Sequence, residues 1–302
     1  MTRRIHPLAL TLALTLGGGL IFQDCALLAL GGTHNLVLRD AARDRDVPVK
    51  VYDPSRPGAS LLILFSPGFG GSKDGYEYLG RGWSDAGYVV VIMTHLGSDQ
   101  EAVRRYGASL SRDPRASFTL QVDRTTDVAF VLDSLDLIEQ QIPALRGRIS
   151  RQRIGVAGHS MGAGTALLVA GARAAPPAGA LRTFRDPRVT AAIAMSPQGA
   201  GEEGFTEASW NDLRVPVMTM SGTLDLGIAG QPATWRLEPF QHMPPVDKFQ
   251  VIVDGARHLS FATGERFHPC ILKETLAFWE SFLKQDKPSR ISSFGACAVT
   301  SK

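Results

Sequence analysis

From residue 47 to residue 283, short apolar runs rich in β-branched residues alternate with stretches of helical periodicity. Val47–Tyr52, Ser60–Phe65, Tyr88–Met93, Arg153–Ala157, Val189–Met195, Val215–Met220 and Lys248–Val253 each have the length and composition of a strand. Between and after them, Tyr76–Ala86, Ser117–Leu145, Met161–Ala174 and Pro269–Leu283 read as helices. In the second of these, Val128, Val131, Leu132, Leu135 and Ile138 recur on one face. Such alternation predicts an α/β fold with a mostly parallel central sheet flanked by helices on both faces. Sheets of this kind bind ligands at the carboxyl ends of their strands. Chemistry is therefore expected in the segments that begin at Ser66, Thr94, Gly158, Ser196, Ser221 and Asp254.

The chain has 302 residues, 44% of them hydrophobic and 20% charged, enough to bury a large core. A single domain over residues 36–302 is expected, and a monomer. The formal net charge is only +3, and basic residues are interspersed with acids, which argues against a nucleic-acid partner.

Residues 1–29 differ from the rest. Thr2-Arg3-Arg4 precedes the nearly charge-free, Leu-rich run Leu8–Phe22, the layout of a secretory signal peptide. The run is shorter than the roughly 20 residues of a membrane span. A signal peptide, and with it a secreted or periplasmic protein, is the leading reading; a retained N-terminal anchor is its rival. A lipidated Cys25 fits less well, because Phe22-Gln23-Asp24 is a poor approach to such a cysteine. Membrane contact is expected only through this segment or a lipid substrate.

There are three cysteines. An exported chain permits disulfides, and a Cys270–Cys297 bridge tying the last helix to the tail is expected, two unpaired thiols being the alternative. No spacing suggests a metal site.

The strand ending at Ala157 runs into Gly158-His159-Ser160-Met161-Gly162 and then an Ala-rich helix. G-x-S-x-G between strand and helix forces the serine onto a sharp turn with its hydroxyl exposed, and close packing leaves no room for side chains two positions to either side. The helix N-terminus offers N–H groups to a developing negative charge. The bland alternative is a glycine-bounded turn with an ordinary N-cap serine.

A serine nucleophile needs a base, itself oriented by a carboxylate. Of the seven histidines, His6 lies in the leader, and His34 and His95 precede the serine. His159 adjoins it, with its ring expected to point away. Among His242, His258 and His268, only His258 closely follows a strand, so it is the candidate base. Asp225, just past the strand Val215–Met220, is the candidate acid; Asp212 lies before that strand, and Asp254 is too near His258 in sequence.

Two backbone N–H groups are expected to form an oxyanion hole. One is that of Met161, after the nucleophile. The other is that of Phe69, in Ser66-Pro67-Gly68-Phe69-Gly70-Gly71, where Gly68 allows a close approach. The loops Gln198–Arg214 and Thr223–Asp247 carry Phe205, Trp210, Trp235, Phe240 and Met243, which either line an acyl or alcohol pocket or pack the loops onto the sheet. Gly68, His95, Gln198 and Trp210 are the candidate substrate contacts. For His95 and Gln198 a structural hydrogen bond is an equal reading.

These residues carry a resemblance. Arg43-Asp44-Arg45-Asp46-Val47-Pro48-Val49, Phe65-Ser66-Pro67-Gly68-Phe69-Gly70-Gly71-Ser72, Thr94-His95-Leu96-Gly97-Ser98-Asp99, Arg153 through Gly162, and Asp254-Gly255-Ala256-Arg257-His258 resemble the dienelactone-hydrolase-like α/β-hydrolases. That group is similar to chlorophyllases, plasma-type platelet-activating-factor acetylhydrolases and cutinase-like polyesterases. The resemblance spans Leu36 to Leu283. It implies an α/β-hydrolase fold, a Ser160–Asp225–His258 triad with Phe69 and Met161 as oxyanion donors, and no metal or organic cofactor. Two departures bear on activity. Dienelactone hydrolases themselves use a cysteine where this chain has Ser160. Many relatives have a histidine where this chain has Pro67, a proline shared with the cutinase-like branch.

The expected activity is a serine carboxylic-ester hydrolase working through an acyl-enzyme on small short-to-medium acyl esters, with polymeric esters as a further substrate. A lipid deacylase, a peptidase and a non-catalytic binding protein of the same fold are the alternatives.

Overall fold

In a computed structural model, the structure describes residues 31–107, 109–284 and 291–302. The expected leader at 1–29, with Cys25, lies outside the described residues.

The central sheet holds nine strands: β1 (Thr33–Asp40), β2 (Arg45–Tyr52), β3 (Ser60–Ser66), β4 (Val89–Met93), β5 (Ile149–His159), β8 (Val189–Met195), β9 (Val217–Gly222), β10 (Lys248–Val253) and β11 (Cys297–Ser301). Two two-residue strands, β6 (Arg173–Ala174) and β7 (Arg182–Thr183), pair separately. The order across the sheet is β1-β2-β4-β3-β5-β8-β9-β10-β11. The run from β4 through β3, β5, β8 and β9 to β10 is parallel, while β1, β2 and β11 add antiparallel edges. This is the mostly parallel sheet that the alternating pattern predicts.

Side chains alternate across the sheet. Leu62, Leu64, Val89, Val91 and Val156 face helices Pro114–Asp133 and Met161–Ala170. Ile63, Phe65, Val90, Ile92 and Ala157 face helices Glu77–Asp85 and His268–Trp279. Because both faces are covered, the inner strands are apolar throughout instead of alternating.

Some boundaries differ from expectation. The long helix begins at Pro114, where the Asp113 side chain accepts from the N–H groups of Arg115 and Ala116. It ends at Asp133, and the chain resumes as Leu135–Gln141 before Pro143 stops it. The apolar stripe from Val128 to Ile138 is nonetheless buried across the break. Helix Met161–Ala170 stops four residues short of the expected Ala174. Strands β1 and β11 lie at the sheet edges, where polar residues replace the apolar signal. Cys270 and Cys297 form a disulfide that joins the last long helix to β11.

Candidate active site

Ser160, at the carboxyl end of β5, adopts φ 56°, ψ −123°, a strained conformation for a residue with a side chain. The turn is held by close backbone packing. A Cβ at position 158 would stand 2.0 Å from the Gly162 carbonyl oxygen, and one at position 162 would stand 1.9 Å from that of Ser66. Only glycine fits either position, so the hydroxyl is presented clear of the sheet.

Ser160 Oγ donates to His258 Nε2 at 2.9 Å, and His258 Nδ1 donates to Asp225 Oδ1, also at 2.9 Å. The three residues come from the loops after β5, β10 and β9, which the parallel sheet brings to one edge. Asp225 is wholly buried. Its Oδ2 accepts from Ser196 Oγ at 2.5 Å, and Arg236 Nε lies 2.7 Å from Oδ1. Burial would raise the Asp225 pKa; the His258 hydrogen bond, the Arg236 charge and Ser196 outweigh it and hold the carboxyl below its usual range. An ionised carboxylate is what keeps Nδ1 of the imidazole protonated and Nε2 free to accept.

Neither Arg236 nor Ser196 is among the candidate site residues of the sequence. Arg236 also donates to the backbone oxygens of Ser196, Pro197, Asp225 and Leu226. No sequence spacing marks it, because its partners are carbonyls and a distant carboxylate. Ser196 did have a signal, since it directly follows β8 at the functional edge.

His159 departs from expectation. Its ring lies under His258 instead of pointing away, with centroids 4.8 Å apart. Its Nε2 donates to the His258 carbonyl oxygen at 2.9 Å and its Nδ1 accepts from Tyr76 Oη at 2.8 Å. Burial, with the neighbouring His258, lowers its pKa to about 3, so it is neutral at ordinary pH.

A cavity of about 670 Å³ opens over Ser160. Gly68, Phe69 and Met161 line it beside the serine, with Gln198, Glu203 and Trp235 among the other lining residues. Exposed Leu226, Ile228 and Leu259 form an apolar rim. Phe69 and Met161, the expected paired N–H donors, both line the cavity.

Two expected substrate contacts are corrected. His95 is buried away from the cavity: its Nε2 accepts from Ser66 Oγ at 3.0 Å and its Nδ1 donates to Asp127 Oδ2 at 2.9 Å. Burial, with Arg124 nearby, lowers its pKa to about 4. This second Ser–His–Asp chain is buried and lines no part of the cavity over Ser160. Trp210 is likewise fully buried, stacked between Phe205 and His242. An apolar loop residue that packs the loop onto the sheet reads the same in sequence as one that faces a ligand.

Among the described residues no group of His, Cys, Asp and Glu is placed to hold a metal ion, and no helix is long and apolar enough to cross a membrane.

Comparison with known proteins points the same way as this geometry. The chain is 27% identical to cutinase est2 of Thermobifida alba over 250 residues, covering 81% of this chain and 66% of the relative. It is 27% identical to cutinase cut1 of Thermobifida fusca over 213 residues, 70% and 53%. To the bis(hydroxyethyl) terephthalate hydrolase of Streptomyces coelicolor it is 27% identical over 235 residues, 75% and 66%. The matched region therefore spans between about half and two thirds of the length of these relatives. The model of the PET hydrolase-like (PETase) family matches residues 48–301, most of the chain, and the chain belongs to that family.

Proposed function

We propose that this protein is a serine carboxylic-ester hydrolase with Ser160 as nucleophile, His258 as base and Asp225 as the orienting acid. The observation that carries the reading is the hydrogen-bonded chain from Asp225 through His258 to Ser160, open to a cavity with an apolar rim.

In the proposed reaction His258 Nε2 takes the Ser160 proton as Oγ attacks the ester carbonyl. Asp225 stabilises the resulting imidazolium. The tetrahedral oxyanion lies on the Phe69 and Met161 N–H groups. His258 then protonates the leaving alcohol, and water releases the acid from the acyl-enzyme by the same route.

Short-to-medium acyl esters and polyesters are the proposed substrates. Relatives named as cutinases and as a bis(hydroxyethyl) terephthalate hydrolase support a polyester. Leu226, Ile228 and Leu259 also suit a lipid aggregate, which keeps a lipid deacylase as the second reading. Export through residues 1–29 and a monomeric state belong to the same proposal.

Hydrolysis of p-nitrophenyl esters from acetate to palmitate, by wild type and Ser160→Ala, tests it. Turnover that needs Ser160 and peaks at short chains is expected. A long-chain optimum moves the assignment to the lipid deacylase, and undiminished turnover in the folded variant removes Ser160 as nucleophile.

A further inference from the structure

Helix Pro114–Asp133 buries a guanidinium that the reaction above does not use. Arg124 is 1% exposed. Its Nε donates to Thr165 Oγ1 at 3.0 Å, Nη1 to Ser98 Oγ at 2.7 Å, and Nη2 to Ser66 Oγ at 3.1 Å and to the Pro67 carbonyl oxygen. All four acceptors are neutral. The acids nearest in effect are engaged elsewhere: Asp127 with Arg43, Arg45 and His95, and Glu203 with Gln121. Among the described residues no ion pair joins Arg124 to a carboxylate. Burial lowers its pKa to about 10, which leaves it charged at neutral pH.

A buried charge with no directly paired carboxylate is costly to fold. Here the cost sits beside the two proposed oxyanion donors. On one side, Arg124 grips both ends of the segment around Phe69. It holds Pro67 directly, and through Ser98 it holds the turn whose carbonyl oxygen accepts from Gly70 N–H at 2.8 Å. On the other side it holds Thr165, one turn into the helix that starts at Met161; the Thr165 hydroxyl lies 3.1 Å from the Met161 carbonyl oxygen. Ser66 relays the contact onward to His95 and Asp127, which accounts for the buried Ser–His–Asp chain as bracing for the loop.

We propose that Arg124 is a positioning residue for the oxyanion hole. Its fork fixes the Phe69 and Met161 donors relative to each other, and its charge, with no carboxylate in direct contact, stands behind the oxygen that turns negative in the transition state. The proposal rests on the reading of Ser160 as nucleophile. Donors fixed in advance act on the transition state more than on the bound ester. The expected signature is therefore a change in kcat with little change in KM, which a merely structural arginine does not give.

Arg124→Gln removes the charge and most of the fork, and Arg124→Lys keeps the charge alone. With p-nitrophenyl butyrate, Arg124→Gln is expected to lower kcat by about 10- to 100-fold, with KM within about threefold. Affinity for an alkyl boronic acid, which becomes a tetrahedral anion on Ser160, falls in parallel, and Arg124→Lys recovers part of both. A folded Arg124→Gln with wild-type kcat, or with unchanged boronate affinity, overturns the proposal. If Arg124→Gln does not fold, Ser98→Ala removes the Nη1 arm, together with the bond from the Ser98 hydroxyl to the His95 carbonyl oxygen, and leaves the Nε and Nη2 arms in place. A several-fold fall in its kcat supports the clamp, and wild-type kcat overturns it. Wild-type protein without Ser160-dependent turnover instead overturns the underlying reading, and this proposal with it.

Discussion

Arg236 Nε stands 2.7 Å from Asp225 Oδ1, and both side chains are closed off from solvent. The carboxylate that orients His258 therefore has an internal counter-ion as well as the histidine. The same guanidinium is anchored by four backbone carbonyls from the loops after β8 and β9. Two of the loops that build the site are thereby held by one side chain.

Removing one partner from a buried ion pair strands the other. Arg236→Met is expected to cost about 3–5 kcal/mol of stability and to lower kcat, because Asp225 would lose one of the charges that hold its pKa down. Arg236→Lys keeps the charge but cannot span the carbonyls, and should fall between the two. Denaturant midpoints of the three proteins check this; coincident midpoints for Arg236→Met and wild type would contradict it.

His159 lies under His258, the proposed base, and bonds to its carbonyl oxygen. His159→Phe keeps a ring of similar size but loses that bond and the one to Tyr76. We expect kcat to fall about 10-fold, the order of effect of loosening a positioned catalytic group, with substrate affinity little changed. Tyr76→Phe, which leaves the His258 contact in place, should have a smaller effect. Steady-state kinetics on one ester settles the order, and equal effects of the two variants would refute the division of roles.

The reach of sequence reading follows from what each residue does. Ser160, Asp225 and His258 each sit just past an apolar strand, so the parallel sheet delivers them to one edge and their positions were legible. The inner strands were legible because burial on both faces makes them continuously apolar. Strands β1 and β11 were not, since an edge strand needs no such run. His159 was misread because the direction of a side chain at a strained turn depends on what packs under it, here Tyr76 and Phe261. His95, Arg124 and Arg236 act through contacts distant in sequence, with carbonyl, hydroxyl and carboxylate partners that leave no periodic mark.

The Cys270–Cys297 bridge closes a 27-residue separation and ties β11 to helix His268–Trp279. Loop-closure entropy of that size is worth about 3.5 kcal/mol. Strand β11 also carries the antiparallel edge of β10, whose far end leads to His258. The Cys270→Ser/Cys297→Ser double variant is expected to melt well below wild type in the absence of reductant and to match reduced wild type. At low temperature it should retain most of its turnover, because no residue of the bridge lines the cavity. Identical melting curves for the oxidised and reduced wild type would show that the bridge contributes nothing.

Glu203 supplies a prediction with a definite sign. It lines the cavity yet is only 4% exposed, and it accepts from Gln121 Nε2 at 2.5 Å. Burial pushes its pKa up to about 7, against the smaller opposing effects of Gln121 and Arg124. A carboxyl raised in the folded state binds its proton more tightly there than in the unfolded chain. Its contribution to stability is therefore complete below the unfolded pKa, near 4.5, and is lost as pH rises through about 7. At about 1.4 kcal/mol per pH unit of difference, the loss approaches roughly 3 kcal/mol. Glu203→Gln keeps an acceptor for Gln121 but cannot ionise. Melting temperatures of wild type and Glu203→Gln, followed from about pH 5 to pH 8, should diverge as pH rises to about 7 and then level off, with wild type falling further. Parallel curves would mean that Glu203 ionises in the fold as readily as it does in water.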